Sequence, residues 1–362
     1  MAYTTINKST DYFNTVLYTG NNSSPRTITG VGFQPDMNWS KIRSESNDHW
    51  VSDAVRGANK IVRPNTTDDE LLNGSSGYLS SFNSDGYVIA AGSGTNNNFN
   101  KNSGTMVSWN WKANGAGSTN NDGNRTSTVS ASTTAGFSIV RYQGNSSNNQ
   151  TIGHGLGVAP KMIFIKNLSS SLDWIVYNKT ITASKHLHLN TTAAEATDAG
   201  MFNNTEPTSS VFTVHANNDV NKANDYFIAY CFAEKTGYSK FGKYIGNGNA
   251  DGPFIYTGFK PAWVMFKRSD NTGSWYIKDN KRSGTSALQN FGQMNPNQTQ
   301  YPSADTSFVE NKTSGYAMDI LSNGFKPRGT DSGINASGGT YIYMAFAEAP
   351  LVGSNGVIAK AR

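Results

Sequence analysis

The sequence predicts an all-β protein built from three homologous antiparallel β-sandwich-like repeats. Three observations carry that prediction. Tyr18-Thr-Gly-Asn, Tyr142-Gln-Gly-Asn and Tyr244-Ile-Gly-Asn recur, and a proline follows each tyrosine after 17, 18 and 17 residues, at Pro35, Pro160 and Pro261. A lysine stands six residues past each proline (Lys41, Lys166, Lys267), and a tryptophan follows eight or nine residues later (Trp50, Trp174, Trp275). Composition agrees: aromatic residues make up 12% of the chain and charged residues only 15%. Charge usage is therefore below the usual ~25%, and disordered chains lack aromatics. A chain that copies one unit more often binds or assembles than catalyses.

The landmarks divide the chain into an N-terminal attachment segment (1–12), repeats at 13–135, 136–236 and 237–350, and a tail at 351–362. After each proline comes a strand. Lys161-Met-Ile-Phe-Ile-Lys166 and Ala262-Trp-Val-Met-Phe-Lys267 are apolar on both alternating faces, so each should be central and covered on both sides. In the first repeat Met37 and Trp39 keep one face, but Asn38 and Ser40 occupy the other, which should be wet or used in a contact of its own.

Hairpins are expected at Ser84-Asp-Gly86-Tyr87 and Ser322-Asn-Gly324-Phe325, where glycine supplies the positive φ of a tight turn. Phe99-Asn100, Val220-Asn221 and Ile334-Asn335 each precede a polar stretch and also read as hairpin signals. Each repeat ends on a strand with large residues on one side: Val107/Trp109/Trp111, Ile228/Tyr230/Phe232 and Ile342/Met344/Phe346. The slot before the last aromatic stays small (Asn110, Cys231, Ala345), so a half-buried strand with close packing over its small side is expected. Helix should be scarce: two turns over Thr192–Gly200 and one over Asp68–Leu72. Gly115–Asn124 reads as a flexible joint after the first repeat. The sequence leaves open whether the repeats string out or close around a pseudo-threefold axis. Closure would imitate a trimer and leave no free end unit.

The net charge is +5 with an isoelectric point near 9.0. The densest basic run, Lys260, Lys267, Arg268, Lys278, Lys281 and Arg282, reads as a solvated face with salt bridges, or alternatively as attraction toward an anionic polymer. No nucleic-acid-binding module is recognisable. Cys231 is alone, so no intramolecular disulfide forms, and it reads as a small buried residue. The N-terminus carries no signal peptide, and no apolar run reaches the ~18 residues of a membrane span. Synthesis in a host cytoplasm and exposure on a particle released by lysis would reconcile these features.

Catalytic signatures are weak. There is no Gly-x-Ser-x-Gly elbow, and none of the five histidines occupies a shared landmark. His186 and His188 lack a carboxylate or cysteine nearby in sequence, and Asn121–Asn124 and Asn249–Gly252 lack the carboxylates of a calcium loop. No metal or other cofactor is expected. Asp53 and Asp279 recur like the acids of a glycosidase, yet Arg56 and Arg282 follow at the same interval, so ion pairs explain them more simply. The chain reads as no enzyme. The recurring tryptophans read as core. Ligand binding is expected instead at features that differ between repeats: the 290–306 loop with Phe291, Met294 and Tyr301, flanked by Lys267, Arg268 and Trp275.

Several pieces together resemble a known family: Tyr-x-Gly-Asn, Gly32-Phe-Gln-Pro35, Gly258-Phe-Lys-Pro261, His154-Gly-Leu-Gly-Val-Ala-Pro160, Trp109-Asn-Trp-Lys112, and Ser337-Gly-Gly-Thr-Tyr-Ile-Tyr343 running to Phe346-Ala-Glu348. Over roughly residues 13–350 they are similar to an uncharacterised repeat domain of tail-fibre and other virion proteins of marine bacteriophages, including those of cyanobacteria. The resemblance implies a structural virion protein facing the host, a tail fibre or its tip that touches a host-surface glycan. The alternatives are a capsid decoration or tail structural protein that binds other virion proteins, and a carbohydrate-binding module. Expected partners are other virion proteins, a host-surface polysaccharide and further copies of the chain, without nucleic acid or a membrane span. No heptad run for a fibre shaft is present, which keeps the decoration reading open.

Overall fold

The computed structural model describes residues 4–94, 97–282, 300–312, 314–350 and 352. Within them, three large antiparallel sheets follow one strand order. In the first, an opening strand Phe13–Thr19 pairs with a closing strand Thr105–Trp111, which pairs with a central strand Met37–Ile42 and then Trp50–Asp53. In the second the same places are taken by Phe137–Gln143, Tyr226–Phe232, Met162–Asn167 and Ile175–Asn178. In the third they are taken by Ser239–Ile245, Thr340–Pro350, Phe259–Arg268 and Trp275–Asp279. The register agrees too. Trp111, Phe232 and Phe346 lie opposite Met37, Met162 and Trp263, and Val107, Ile228 and Ile342 lie opposite Lys41, Lys166 and Lys267.

Each large sheet is backed by a small one. Arg26–Thr29 pairs with Gly86–Ala90, which pairs with Tyr78–Asn83. Gln150–Gly153 pairs with Val211–Val214, and Ile255–Tyr256 pairs with Gly324–Pro327, itself paired with Met318–Leu321. Between large and small sheet lies a separate apolar cluster in each case, around Tyr87, Tyr142 and Phe325 respectively. The opposite faces of all three large sheets meet in a further, shared cluster. There Trp111 meets Trp263 edge-on at 5.6 Å and Phe232 at 6.4 Å, and Phe232 meets Phe346 at 6.0 Å. Such pairs add about 0.5–1.5 kcal/mol each beyond the area they bury. The central strands are thus covered on both faces. So are the closing strands, where a half-buried strand was expected: their large side faces the shared interior and their small side faces the small sheet.

The Tyr-x-Gly-Asn motif clasps each opening strand to the turn that precedes the closing strand. Tyr18, Tyr142 and Tyr244 donate their hydroxyls to the carbonyls of Phe99, Val220 and Ile334 at 2.8, 2.7 and 2.9 Å. The amides of Asn21, Asn145 and Asn247 donate to the side-chain oxygens of Asn100, Asn221 and Asn335 at 3.1, 3.0 and 2.9 Å. The glycine is required by close approach. A Cβ at Gly20, Gly144 or Gly246 would lie 1.9, 2.3 or 2.3 Å from the carbonyl oxygen of Lys101, Lys222 or Ala336.

Several expectations are corrected. Val220-Asn221 and Ile334-Asn335 end single helical turns, Asn218–Asn221 and Ser332–Asn335, capped by the side chains of Asn217 and Asp331, and are not hairpins. Among the described residues helix is confined to such short turns: Ala199–Phe202 replaces the longer stretch expected there, and Leu71–Leu72 is a strand. Gly115–Asn124 is not a flexible joint, because Ser118–Asn120 pairs with Ser127–Ser132, which pairs with Phe137–Gln143 and extends the second sheet. The polar face of the first central strand is buried rather than wet. Asn38 donates to Asn110 at 2.7 Å, Ser40 to Asn38 at 2.6 Å and Asn110 to Ser108 at 3.1 Å, so the polar groups satisfy one another. Trp50 is not the counterpart of Trp174 and Trp275. Asp53, Asn178 and Asp279 lie opposite Met37, Met162 and Trp263, and four residues before them stand His49, Trp174 and Trp275. Trp50 turns the other way and packs on Phe99 at 4.8 Å.

Candidate functional site

The recurring polar residues lie at seams between the large sheets. Lys166 donates to the carbonyls of Leu172 and Thr67 at 2.7 and 3.0 Å, the latter from the first sheet's side of the seam. Trp174 donates its indole N–H to the backbone carbonyl of Arg63 at 2.9 Å. Lys267 donates to the carbonyl of Gly273 and, at 3.1 Å, to that of Thr192 on the second sheet's side, while the indole N–H of Trp275 donates to the carbonyl of His188 at 2.8 Å. Burial lowers the ammonium groups of Lys41, Lys166 and Lys267 to about 8.

The recurring acids also bind inward. Asp53 holds Arg56 and accepts the hydroxyl of Tyr230, from the second sheet, at 2.7 Å. Asp279 holds Arg282 and accepts the indole N–H of Trp109, from the first sheet, at 2.9 Å. At the remaining seam the corresponding places are Asn178 and Met344, which cannot form that link. His186 and His188 bring their rings to 5.0 Å, and burial with the neighbouring ring lowers His186 to about 4. No cluster of three metal-ligating side chains occurs among the described residues. Burial pushes the Cys231 thiol upward, away from reactivity.

The described members of the binding set expected from sequence are engaged within the fold. Lys267 and Trp275 are buried and committed to a seam, so no large ligand reaches them. Lys278 and Arg282 are buried as well, so those members of the basic run are not part of a solvated face, whereas Lys281 is exposed and Lys260 pairs with Glu348 at 3.0 Å. Arg268 is paired with Asp270 at 2.9 Å. Tyr301 lies in a short strand, its backbone opposite Asn311. Phe291 and Met294 lie outside the described residues.

A groove that sequence reasoning missed lies on the second sheet, where the added hairpin Ser118–Ser132 widens it. It encloses about 330 Å³. Thr119, Thr128 and Arg141 stand opposite one another across three strands, so they share a face. Two residues along, Gln143 lies opposite Tyr226. The Arg141 guanidinium stacks over the Tyr226 ring at 3.9 Å, and Tyr226 as a residue remains 40% exposed. Arg125 is fixed by the Gln143 carbonyl at 2.7 Å and its side-chain oxygen at 3.2 Å. Among the described residues neither Arg125 nor Arg141 has a salt-bridge partner. The signal was available in the register: Tyr226 opens its closing strand where the first and third sheets have Thr105 and Thr340.

A polar groove with an aromatic wall on an all-β scaffold of several antiparallel sheets is the class of protein the fold and the groove define. Residues 8–350 match DUF7483, a domain of unknown function, and the chain belongs to that family. No curated protein and no solved structure shows detectable similarity to it.

Proposed function

We propose that the chain is a non-enzymatic structural protein of a bacteriophage particle, a tail fibre or fibre tip, which meets a host-surface glycan through the groove on its second sheet. The proposal includes three homologous β-sandwich repeats closed around a pseudo-threefold axis. Repetition is supported by the common strand order, register and clasp. Closure is supported by an equivalent backbone bond at each seam: Glu70 N–H to Leu168 at 3.1 Å, Glu195 to Ser269 at 2.8 Å and Glu310 to Arg43 at 3.0 Å. Each acceptor stands two residues past Lys166, Lys267 or Lys41, so the seams run from first sheet to second, second to third and third to first.

One observation carries the functional reading. The repeated lysines and aspartates are occupied inside the fold, whereas the groove is built on a hairpin that, among the described residues, only the second sheet has, with hydroxyl, amide and aromatic groups suited to a sugar. Immunogold labelling of particles whose genome encodes the chain tests the location; label confined to one end of the tail is expected, and unlabelled particles refute it. A glycan array with purified full-length protein tests the binding. The second reading, a capsid decoration or tail structural protein, is favoured by Phe13–Thr19 and Ser239–Ile245, which end their sheets and leave one side of the backbone open to a neighbouring virion protein.

A further inference from the structure

We infer that the groove on the second sheet takes an acidic sugar, with the ligand's carboxylate or sulfate held by Arg141 and Arg125. This rests on the glycan reading above and specifies its ligand. The first ground is charge. Two guanidinium groups face a groove lined otherwise by threonines, a serine, amides and tyrosines, and no carboxylate is among the described lining residues. The acids nearest in sequence are engaged elsewhere. Asp225 accepts from Ser170 at 2.7 Å and Asn167 at 2.9 Å, and Asp122 accepts from Asn120 at 2.8 Å. The two arginines are therefore uncompensated, where most of the other described arginines (Arg43, Arg56, Arg63, Arg268, Arg282 and Arg328) are ion-paired.

The second ground is geometry. Stacking at 3.9 Å uses the flat face of the Arg141 guanidinium and leaves its in-plane N–H fork open. That fork matches the two oxygens of a carboxylate or sulfate. The stack also holds the guanidinium still, so less rotamer entropy is lost on binding. Arg125 is held by two bonds to Gln143 in the adjoining wall. Thr119 and Thr128 share the face of Arg141 and present hydroxyls to the ring substituents of a sugar, while the exposed part of Tyr226 offers an apolar surface to its C–H groups. One charged fork, one apolar wall and a row of hydroxyls are the complement of an anionic saccharide.

The test is titration calorimetry of the full chain with three probes of matched length: an oligogalacturonate, a sulfated galactan oligosaccharide and a neutral mannan oligosaccharide. Binding of one or both acidic probes, weakening as salt rises, with no binding of the neutral one, is expected, and which acidic probe binds assigns the anion. Arg141→Gln should weaken binding roughly tenfold or more, the loss of a charge-assisted bond. Arg141→Lys should recover part of it. Thr128→Asp, which adds a carboxylate to the groove without touching the stack, should abolish it. Acidic-probe binding unchanged in folded Arg141→Gln and Thr128→Asp variants overturns the inference. Equal binding of the neutral probe, lost in Tyr226→Ala, overturns the acidic assignment and leaves the glycan reading standing. Failure to bind any saccharide on a broad array overturns the glycan reading, and the inference with it.

Discussion

Breaking the link between Trp109 and Asp279 measures whether the third sheet is energetically joined to the first. Trp109 donates its indole N–H to Asp279 at 2.9 Å across 170 residues of sequence, with both side chains buried. Asp279 also holds the buried Arg282, whose guanidinium lies 5.2 Å above the Trp109 ring and reaches Glu310 at 2.6 Å. Asp279→Asn leaves that cation with half its compensation and should cost about 3–5 kcal/mol. Trp109→Phe keeps an aromatic ring and removes the donor. A buried hydrogen bond to a charged acceptor is worth about 1.5–3 kcal/mol, so the double-mutant cycle should show coupling of that size. Equilibrium urea unfolding followed by far-ultraviolet circular dichroism suits the assay, because losing a tryptophan disturbs fluorescence. Coupling below about 0.5 kcal/mol would mean that the two sheets unfold independently, and the closed arrangement would be refuted.

Two further outcomes are expected. Gly144→Ala places a methyl group 2.3 Å from the Lys222 carbonyl and 2.9 Å from the Phe227 ring, so it should destabilise by about 1–3 kcal/mol and lower the melting temperature, with Gly20→Ala and Gly246→Ala behaving alike. Stability should also rise with pH above about 8. Lys41, Lys166 and Lys267 are lowered to about 8 in the fold from 10.5, so between those values the unfolded chain binds more protons than the folded one. Below that window the lysines are protonated in both states and contribute no slope. Above pH ~10 ionisation of unfolded tyrosines opposes the gain, since burial raises Tyr142, Tyr230 and Tyr244 in the fold. Melting temperatures measured from pH 7 to 9.5 check this, and Lys166→Met should flatten the rise.

The central strands of the second and third sheets were legible because both their faces are buried, and their apolar runs, Met162–Ile165 and Trp263–Phe266, carry the signal in sequence alone. The pairing of Trp109 with Trp39 and of Tyr230 with Phe164 is added by the structure. What was not legible depended on partners distant in sequence. Asn38 and Ser40 look like a wet face until Asn110 and Ser108 are placed beside them. His49 fills the register slot of Trp174 and Trp275 and accepts the indole N–H of Trp39 at 2.9 Å, while the adjacent Trp50 invites an alignment that is one residue out. The intervals betray the slip: Lys41 to Trp50 spans nine residues where Lys166 to Trp174 and Lys267 to Trp275 span eight, and Trp50 to Asp53 spans three where Trp275 to Asp279 spans four. The pairing of Asp53 with Arg56 and of Asp279 with Arg282 was readable, because the partners are only three residues apart. The groove was not, since its walls come from Thr119, Arg141 and Tyr226, which only strand pairing unites.

The apolar cluster common to the three large sheets has a consequence for how the protein is made. A ribosome releases Trp39, Trp109 and Trp111 long before Trp263 and Phe346 emerge to cover them. For that interval the nascent chain carries a broad oily flank, the kind of surface on which chaperones dock and aggregates begin. Shortened versions ending after the first or second sheet would keep that flank permanently, and should need a detergent or a holdase to remain in solution.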